Sequence, residues 1–296
     1  MAFELKLEES VADGIRRNVS REIEKALDGV GGRGKPPPRG KAEVLAVHDV
    51  RKCFKKVRAA LRLVREELGD DVYRAENFCF RDAARPLTEV RDAQMLVETL
   101  DKLEAPPIAL IRDALLANEQ DITRRVLHEE HAFAAVREFG AAALARIPTW
   151  RIERDGFAAV ESGLRRVYRT GHRALALAAE NPTIENLHEW RKQAKYLWHV
   201  LQLVEPTKEL ANQAHELSRV LGDDHDLAVL RRTLAADPLT YGGHPTLKAL
   251  FAFIDRRREE LQRNASALGR QLYADPPKLF PSRLETYWTR QPVNAA

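Results

Sequence analysis

Apolar residues recur at helical spacing along almost the whole chain, and no segment shows the strict alternation of a half-buried strand. This period predicts an all-α protein with helices over residues 8–28, 43–69, 72–103, 106–146, 151–180, 184–204, 207–235 and 246–272. Pro86 should kink or restart the third helix, Pro106-Pro107 should open the fourth, and Glu205-Pro206 should close the sixth, because proline cannot continue the helical hydrogen-bond ladder. Gly222 is expected to break the seventh helix.

One charged octapeptide occurs twice on these predicted helices. The segment from His48 to Lys55 reads HDVRKCFK, and 140 residues later the segment from His188 to Lys195 reads HEWRKQAK. Both copies follow the pattern H-(D/E)-x-R-K-x-x-K. Repeats normally keep their core and let their surface change, so a repeat of charged residues in fixed register indicates that the polar face has a function.

A second block supports a duplication of the whole helical unit. Residues 85–93, which contain Arg85, Arg91 and Asp92, align with residues 219–227, which contain Arg219 and Asp226. Order and approximate spacing are kept between the two copies. We therefore predict one domain built from two pseudo-symmetric four-helix bundles, residues 1–147 and 148–296. The proline-rich tail of the second half is expected to be irregular, apart from a short helical turn near 282–289.

A helical wheel separates each repeated helix into a cationic stripe and an apolar face. The first stripe contains His48, Arg51, Lys52, Lys55 and Arg62, opposite Val50, Phe54, Val57, Leu61, Val64 and Leu68. The second contains His188, Arg191, Lys192, Lys195 and His199, opposite Trp190, Ala194, Leu197, Leu201 and Val204. Each helix is thus expected to bury one face and to present the other to a ligand or to solvent.

A solvated helix face is the simplest explanation of such a stripe. However, like charges at i,i+3 and i,i+4 destabilise a helix by a few tenths of a kcal/mol per pair, roughly. The same cost in both halves favours a compensating anion. Forked arginine donors and lysine point charges, arranged in a row, suit a linear polyanion. The chain has no phosphate-binding glycine loop, and few aromatic residues accompany the basic ones, so a nucleotide cradle or a single-strand stacking platform is not expected.

Composition further narrows the class of protein. The 48 basic residues nearly balance the 44 acidic ones, leaving a net charge of +4, so the position of the charges matters more than their sum. No apolar run is long enough to span a bilayer, and the start of the chain does not resemble a secretory signal. Cys53 and Cys79 fit neither a metal pattern nor a disulfide framework, which favours a reducing cytoplasm. His128-Glu-Glu-His131 lacks the zinc-helix spacing, so no metal, cofactor or catalytic group is expected.

These motifs resemble the CHAD family, the conserved histidine α-helical domain, from the first helix to about residue 270. The resemblance is carried by the two octapeptides, by Leu87-Thr-Glu-Val-Arg91-Asp92 and by Leu221-Gly222-x-x-x-Asp226. It implies two pseudo-symmetric four-helix bundles whose basic helices line a shared surface or channel. It also implies binding of inorganic polyphosphate, often at bacterial polyphosphate granules. Some members carry a triphosphate tunnel metalloenzyme domain that begins E-x-E-x-K. This chain has Glu4-Leu-Lys6-Leu-Glu8 instead, so a stand-alone module is expected.

Further basic residues are weaker candidates for the same surface. Tyr168, Arg169 and Arg173 share one face of the helix over 151–180, which resembles a family position on the basic surface. Arg85 and Arg219 are as consistent with pairing to nearby acids as with contacting a ligand. Asp92 and Asp226 are expected to orient basic residues rather than to perform acid–base chemistry.

The sequence therefore predicts a non-enzymatic module that holds inorganic polyphosphate along two basic helix faces, in the cytoplasm and at polyphosphate granules. The alternative is a metal-dependent phosphohydrolase or phosphotransferase acting on polyphosphate or nucleotides, which would need a carboxylate cluster facing the stripes. Binding to nucleic acid is a third hypothesis, against which the small net charge argues.

Overall fold

The computed structural model of the chain describes residues 3–103, 109–204 and 208–289. These residues form helices and no strand, which confirms the predicted all-α class. The helices are α1 Val11–Gly29, α2 Lys41–Leu63, α3 Arg65–Leu68, α4 Asp70–Ala83, α5 Thr88–Asp101, α6 Ala109–Thr123, α7 Ala132–Arg146, α8 Gly156–Glu180, α9 Ile184–Val204, α10 Glu209–Ala236, α11 Gly243–Leu272 and α12 Phe280–Thr289. A π-helical turn covers Arg124–Glu129 and a 3₁₀ turn covers Ile147–Thr149. The predictions at Pro106-Pro107 and Glu205-Pro206 lie outside the described residues.

Several helices differ from their predicted extent. The segment around Pro86 separates α4 from α5, so a new helix begins after it and the chain does not continue through a kink. A π-helical turn and a left-handed residue, His131 with φ 54°, separate α6 from α7. In contrast, α10 continues through Gly222, so the predicted break there is wrong. The tail contains α12, which is anchored where Trp288 Nε1 donates to the Val204 carbonyl oxygen at 3.0 Å.

The packing places α2 and α9 at the centre of the molecule. Helix α2 contacts α1, α4, α5, α8 and α9, while α9 also contacts α8 and α10, and α5 contacts α10. The apolar faces predicted for both central helices are confirmed, since every residue assigned to them is buried in one contiguous hydrophobic core. Both octapeptides are helical, in α2 and α9. The internal duplication itself stays a prediction.

Helix α8 approaches the end of α2 very closely. At Gly163 a Cβ atom would overlap the backbone carbonyl of Leu63, so only glycine permits this crossing. One turn further along α8, Arg166 pairs with Glu66 of α3. The glycine therefore determines how near α8 brings its basic residues to α2.

Candidate functional site

The two cationic stripes face each other across one cleft. The Arg62 guanidinium of α2 lies over the Tyr196 ring of α9, 3.7 Å from its centroid. Deeper in the cleft, Lys195 of α9 is the neighbouring charge that most strongly lowers the pKa of Lys55 on α2. Charges of one sign therefore converge from two helices, instead of pointing to opposite sides of the protein.

Lys55 and Lys195 lie in the middle of this cleft, where the charge of Asp226 only partly supports the ammonium form of Lys195. Each side chain is partly buried, and neither has a hydrogen-bond or ion-pair partner among the described residues. Burial, reinforced by the nearby cations, lowers the pKa of Lys55 well below its ordinary value. Burial, and after it the charge of Arg191, lowers the pKa of Lys195 to about 8.

Helices α5 and α10 position the arginine of each octapeptide. Arg51 Nη1 donates to Thr88 Oγ1 at 2.6 Å and to the Ala84 carbonyl oxygen at 3.3 Å. Arg191 Nη1 lies 3.8 Å from Asp226 Oδ1, and a Cβ atom at Gly222 would lie 3.4 Å from the Arg191 guanidinium, an ordinary van der Waals contact. This geometry agrees with an orienting role for Asp226, which stays a prediction.

Two cavities of about 470 Å³ each extend the basic lining along α2. The basic residues of the first are Arg51, Lys55, Arg58, Arg81 and Arg85. Those of the second are Arg58, Arg62, Arg65, Arg81, Arg166 and Lys192. Arg58 and Arg81 line both cavities, so they mark the junction. Arg58 Nε donates to the neutral Asn77 Oδ1 at 3.0 Å, and Arg58 has no carboxylate partner among the described residues.

Several of these residues were not predicted from the sequence. Arg58 lies three residues after Lys55 and four before Arg62, so the helical period does place it in the first stripe. Arg81 of α4 and Arg166 of α8 carry no repeat signal, and only tertiary packing brings them to the cleft. Arg91 of α5, which the sequence left open between pairing with an acid and contacting the ligand, lies 3.1 Å from Glu98, and its charge lowers the pKa of both Lys55 and Lys195.

The prediction that Tyr168 and His199 contact the ligand is wrong, because both side chains are fully buried. The Tyr168 hydroxyl donates to the carbonyl oxygens of Leu272 and Asp275, at 3.3 and 3.0 Å, and its ring stacks on a phenylalanine of α12. His199 Nδ1 lies 3.0 Å from Gln202 Oε1, and burial lowers the pKa of His199 to about 3. Neither side chain can reach a polyanion in the cleft.

The remaining predicted residues divide between the cleft and its surroundings. Arg85 lines the first cavity, and no ion pair holds it within the described part of the chain. Lys192 lines the second cavity but pairs with Glu189 at 2.5 Å. Arg169 and Arg173 are exposed on α8 and line neither cavity. Arg219 forms ion pairs with acidic residues, as one of its two predicted alternatives, at 2.6 Å from Glu216 and 3.0 Å from Asp223.

The octapeptide histidines, His48 and His188, lie near the basic residues of the cleft. Burial lowers the pKa of His48, and Arg91 lowers it further. Burial lowers the pKa of His188 as well, and Arg191 lowers it further. The His188 ring lies 4.2 Å from the His225 ring. Both octapeptide histidines are therefore mainly neutral hydrogen-bonding groups at pH 7.

Two further observations concern a metal site and a membrane-spanning helix. Within residues 3–103, 109–204 and 208–289, no three His, Cys, Asp or Glu side chains are grouped so that they could hold a metal ion. None of the described helices combines the length and apolar character needed to cross a membrane.

Comparison with known proteins identifies the family. A family model described as the CHAD domain matches residues 35–235, more than half of the chain, so the chain belongs to the CHAD family. A solved structure with the same fold is the crystal structure of the CHAD domain from the plant Ricinus communis. It has a TM-score of 0.50 and 17% identity, and the comparison covers 98% of this chain and 94% of that one. No match was found among curated proteins.

Proposed function

We propose that this protein is a non-enzymatic module that binds inorganic polyphosphate in the cleft between α2 and α9. The observation that carries the proposal is the convergence of two cationic stripes on Lys55 and Lys195, neither of which forms an ion pair among the described residues. Membership of the CHAD family supports it, because the family resemblance implies a polyphosphate ligand.

A linear polyanion matches this cleft better than a compact anion does. The basic lining continues from the first cavity to the second through Arg58 and Arg81, so consecutive phosphates would meet consecutive cations. Arginine offers paired donors to phosphate oxygens, whereas lysine offers a point charge. The ligand would supply the negative charge that α2 and α9 do not supply to each other.

Binding is expected to favour long polyphosphate over orthophosphate and to weaken with salt. Each contacted phosphate releases condensed counter-ions, so the logarithm of the binding constant should fall linearly with the logarithm of salt concentration, by about 0.7 per contact. Fluorescence anisotropy of labelled long-chain polyphosphate at several NaCl concentrations measures this slope. Equal affinity for polyphosphate and orthophosphate at moderate salt would contradict the proposal.

Arg58 and Arg219 form a matched pair of test positions. Arg58→Gln should weaken polyphosphate binding roughly 10-fold, because it removes a charge-assisted contact worth about 1.5 kcal/mol at the junction of the cavities. Arg219→Gln should change affinity less than about 2-fold, since carboxylates already pair with that exposed side chain. Thermal unfolding of both variants checks that they fold, and equal losses of affinity would show that Arg58 has no special position.

Two assays separate the proposal from its alternatives. Release of phosphate from polyphosphate or nucleotides in the presence of Mg²⁺ or Mn²⁺ would reveal a phosphohydrolase. Competition between duplex DNA and polyphosphate would reveal a general polyanion binder. Localisation to polyphosphate granules belongs to the same proposal, and fluorescence microscopy of the tagged protein in cells with and without polyphosphate tests it.

A further inference from the structure

The lysine pair at the centre of the cleft is surrounded by cations on almost every side. Lys55 and Lys195 approach each other from α2 and α9, and each has an arginine four residues earlier on its own helix, Arg51 and Arg191. Helix α5 contributes Arg91 and Asp92, α10 contributes Asp226 and His215, α2 adds Lys52, α4 adds Arg81 and Asp82, and the segment between α4 and α5 adds Arg85.

The carboxylates in this environment are engaged with arginines. Asp226 lies 3.8 Å from Arg191, and Asp82 lies 2.9 Å from Arg81. Burial raises the pKa of Asp92, and Arg51 is the charge that most strongly opposes this rise. None of the three carboxylates forms an ion pair with either lysine among the described residues, and the charge of Asp226 offsets the lowering of the Lys195 pKa only in part.

We propose that Lys55 and Lys195 form a proton-linked subsite where the two stripes cross, so that a bound phosphoryl group brings protons with it from solution. The inference rests on the proposed function and deepens it. A phosphate oxygen between the two amines would favour their charged forms, because it supplies the missing counter-charge. Each deprotonated amine would then take one proton from the buffer and become an ammonium group.

The direction of the pH effect follows from the free state. The pKa of Lys195 lies at about 8 without ligand, so about half of these amines are neutral at pH 8. Ligand raises that pKa, and binding near pH 8 should therefore take up about half a proton at Lys195, plus a contribution from Lys55. Affinity should fall as pH rises from 8 to 9, by up to about 10-fold for each lysine involved. At this pH the cleft histidines, with their lowered pKa values, remain neutral.

Isothermal titration calorimetry with long-chain sodium polyphosphate tests the subsite. The full chain is titrated at pH 8 in Tris and in HEPES, whose ionisation enthalpies differ, and the dependence of the heat on the buffer gives the protons taken up. Long chains are used because their internal phosphates are already ionised. We expect uptake of about 0.5–2 protons per occupied site. Heats that do not depend on the buffer, with binding intact, would overturn the inference and leave the proposed function standing. No binding at all would reject the proposed function instead.

Arginine substitutions assign the protons to the two lysines. Lys195→Arg and Lys55→Arg keep the positive charge but cannot titrate at pH 8. Each single variant should lose part of the uptake, measured per ligand bound and whatever its affinity. Lys248→Arg, on an exposed part of α11, serves as the control and should take up as many protons as the wild type. Unchanged uptake in both cleft variants would show that other groups accept the protons.

Discussion

Replacing Lys55 and Lys195 together by methionine is expected to make the protein more stable and a much weaker binder of polyphosphate. Methionine keeps most of the apolar stem of lysine and removes the charge. Neither amine has a hydrogen bond or ion pair among the described residues, so the substitution breaks no such contact. What it removes is the cost of burying two charged amines and, after that, the repulsion between like charges that α2 and α9 bring together.

The size of the stabilisation follows from the lysine titration. The pKa of Lys195 falls from 10.5 to about 8, which corresponds to about 3 kcal/mol of destabilisation by the charged form, and Lys55 adds to this in the same direction. The penalty is fully present below pH 8 and disappears as pH rises towards 10.5, so the gain should be largest at neutral pH and smallest in alkali. Differential scanning calorimetry from pH 7 to 10 should show the Tm of the double variant raised by about 5 °C at pH 7.

The same double variant should bind long-chain polyphosphate roughly 100-fold more weakly, because each lost charge-assisted contact is worth about 1.5 kcal/mol. Lys248→Met, on the exposed surface of α11, is the control and should change neither stability nor affinity appreciably. A double variant that is less stable than the wild type would mean that the two lysines support the fold. In that case their missing counter-ion could not be taken as a sign of a ligand.

Gly163→Ala is expected to be the most damaging single methyl addition considered in this fold. The new methyl group would overlap the Leu63 carbonyl of α2, and neither backbone can give way as a flexible side chain can. We expect a loss of about 3 kcal/mol, at the upper end of the usual cost of overpacking, and a Tm lowered by roughly 5–10 °C. Because α8 carries Arg166 into the second cavity, polyphosphate affinity should fall as well.

Gly29→Ala provides the matched control for this change. Gly29 is the last residue of α1, and a Cβ added there meets nothing within 4 Å. The substitution should be neutral or should stabilise by about 0.5 kcal/mol, because alanine restricts the unfolded chain more than glycine does. Thermal unfolding of the two variants under one condition separates the two effects. If Gly163→Ala unfolds at the wild-type temperature, α8 and α2 are not in the close contact described.

Helical periodicity predicted the two central helices well. Residues such as Phe54 and Trp190 are buried where the wheel placed them, and α9 spans Ile184–Val204, the range predicted for it. These features are local, because a residue's face depends on its neighbours in the same helix. They therefore require no knowledge of the tertiary structure.

The wheel failed where a helix is enclosed on several sides. His199 falls in the stripe by its angle, but the last turns of α9 are covered by neighbouring helices, and Leu197, Val200 and Leu203 are buried beside it. The prediction for Tyr168 was wrong for a similar reason. Helix α12, from a tail expected to be irregular apart from a short helical turn near 282–289, packs over the Tyr168 ring. Residues brought in from other helices, such as Arg81 and Arg166, depend on which helices meet, and no periodicity in one helix contains that information.

The shared position of Arg58 has a consequence for how ligands of different length would compete. Two short oligophosphates, one in each cavity, cannot both use this guanidinium, so the second to arrive finds one partner already occupied. A chain long enough to span both cavities meets the same arginine once, between consecutive phosphates, and loses nothing. The cleft would then show negative cooperativity towards short chains and single-site behaviour towards long ones. The number of polyphosphate chains bound per protein would therefore depend on chain length, although no structural element measures that length.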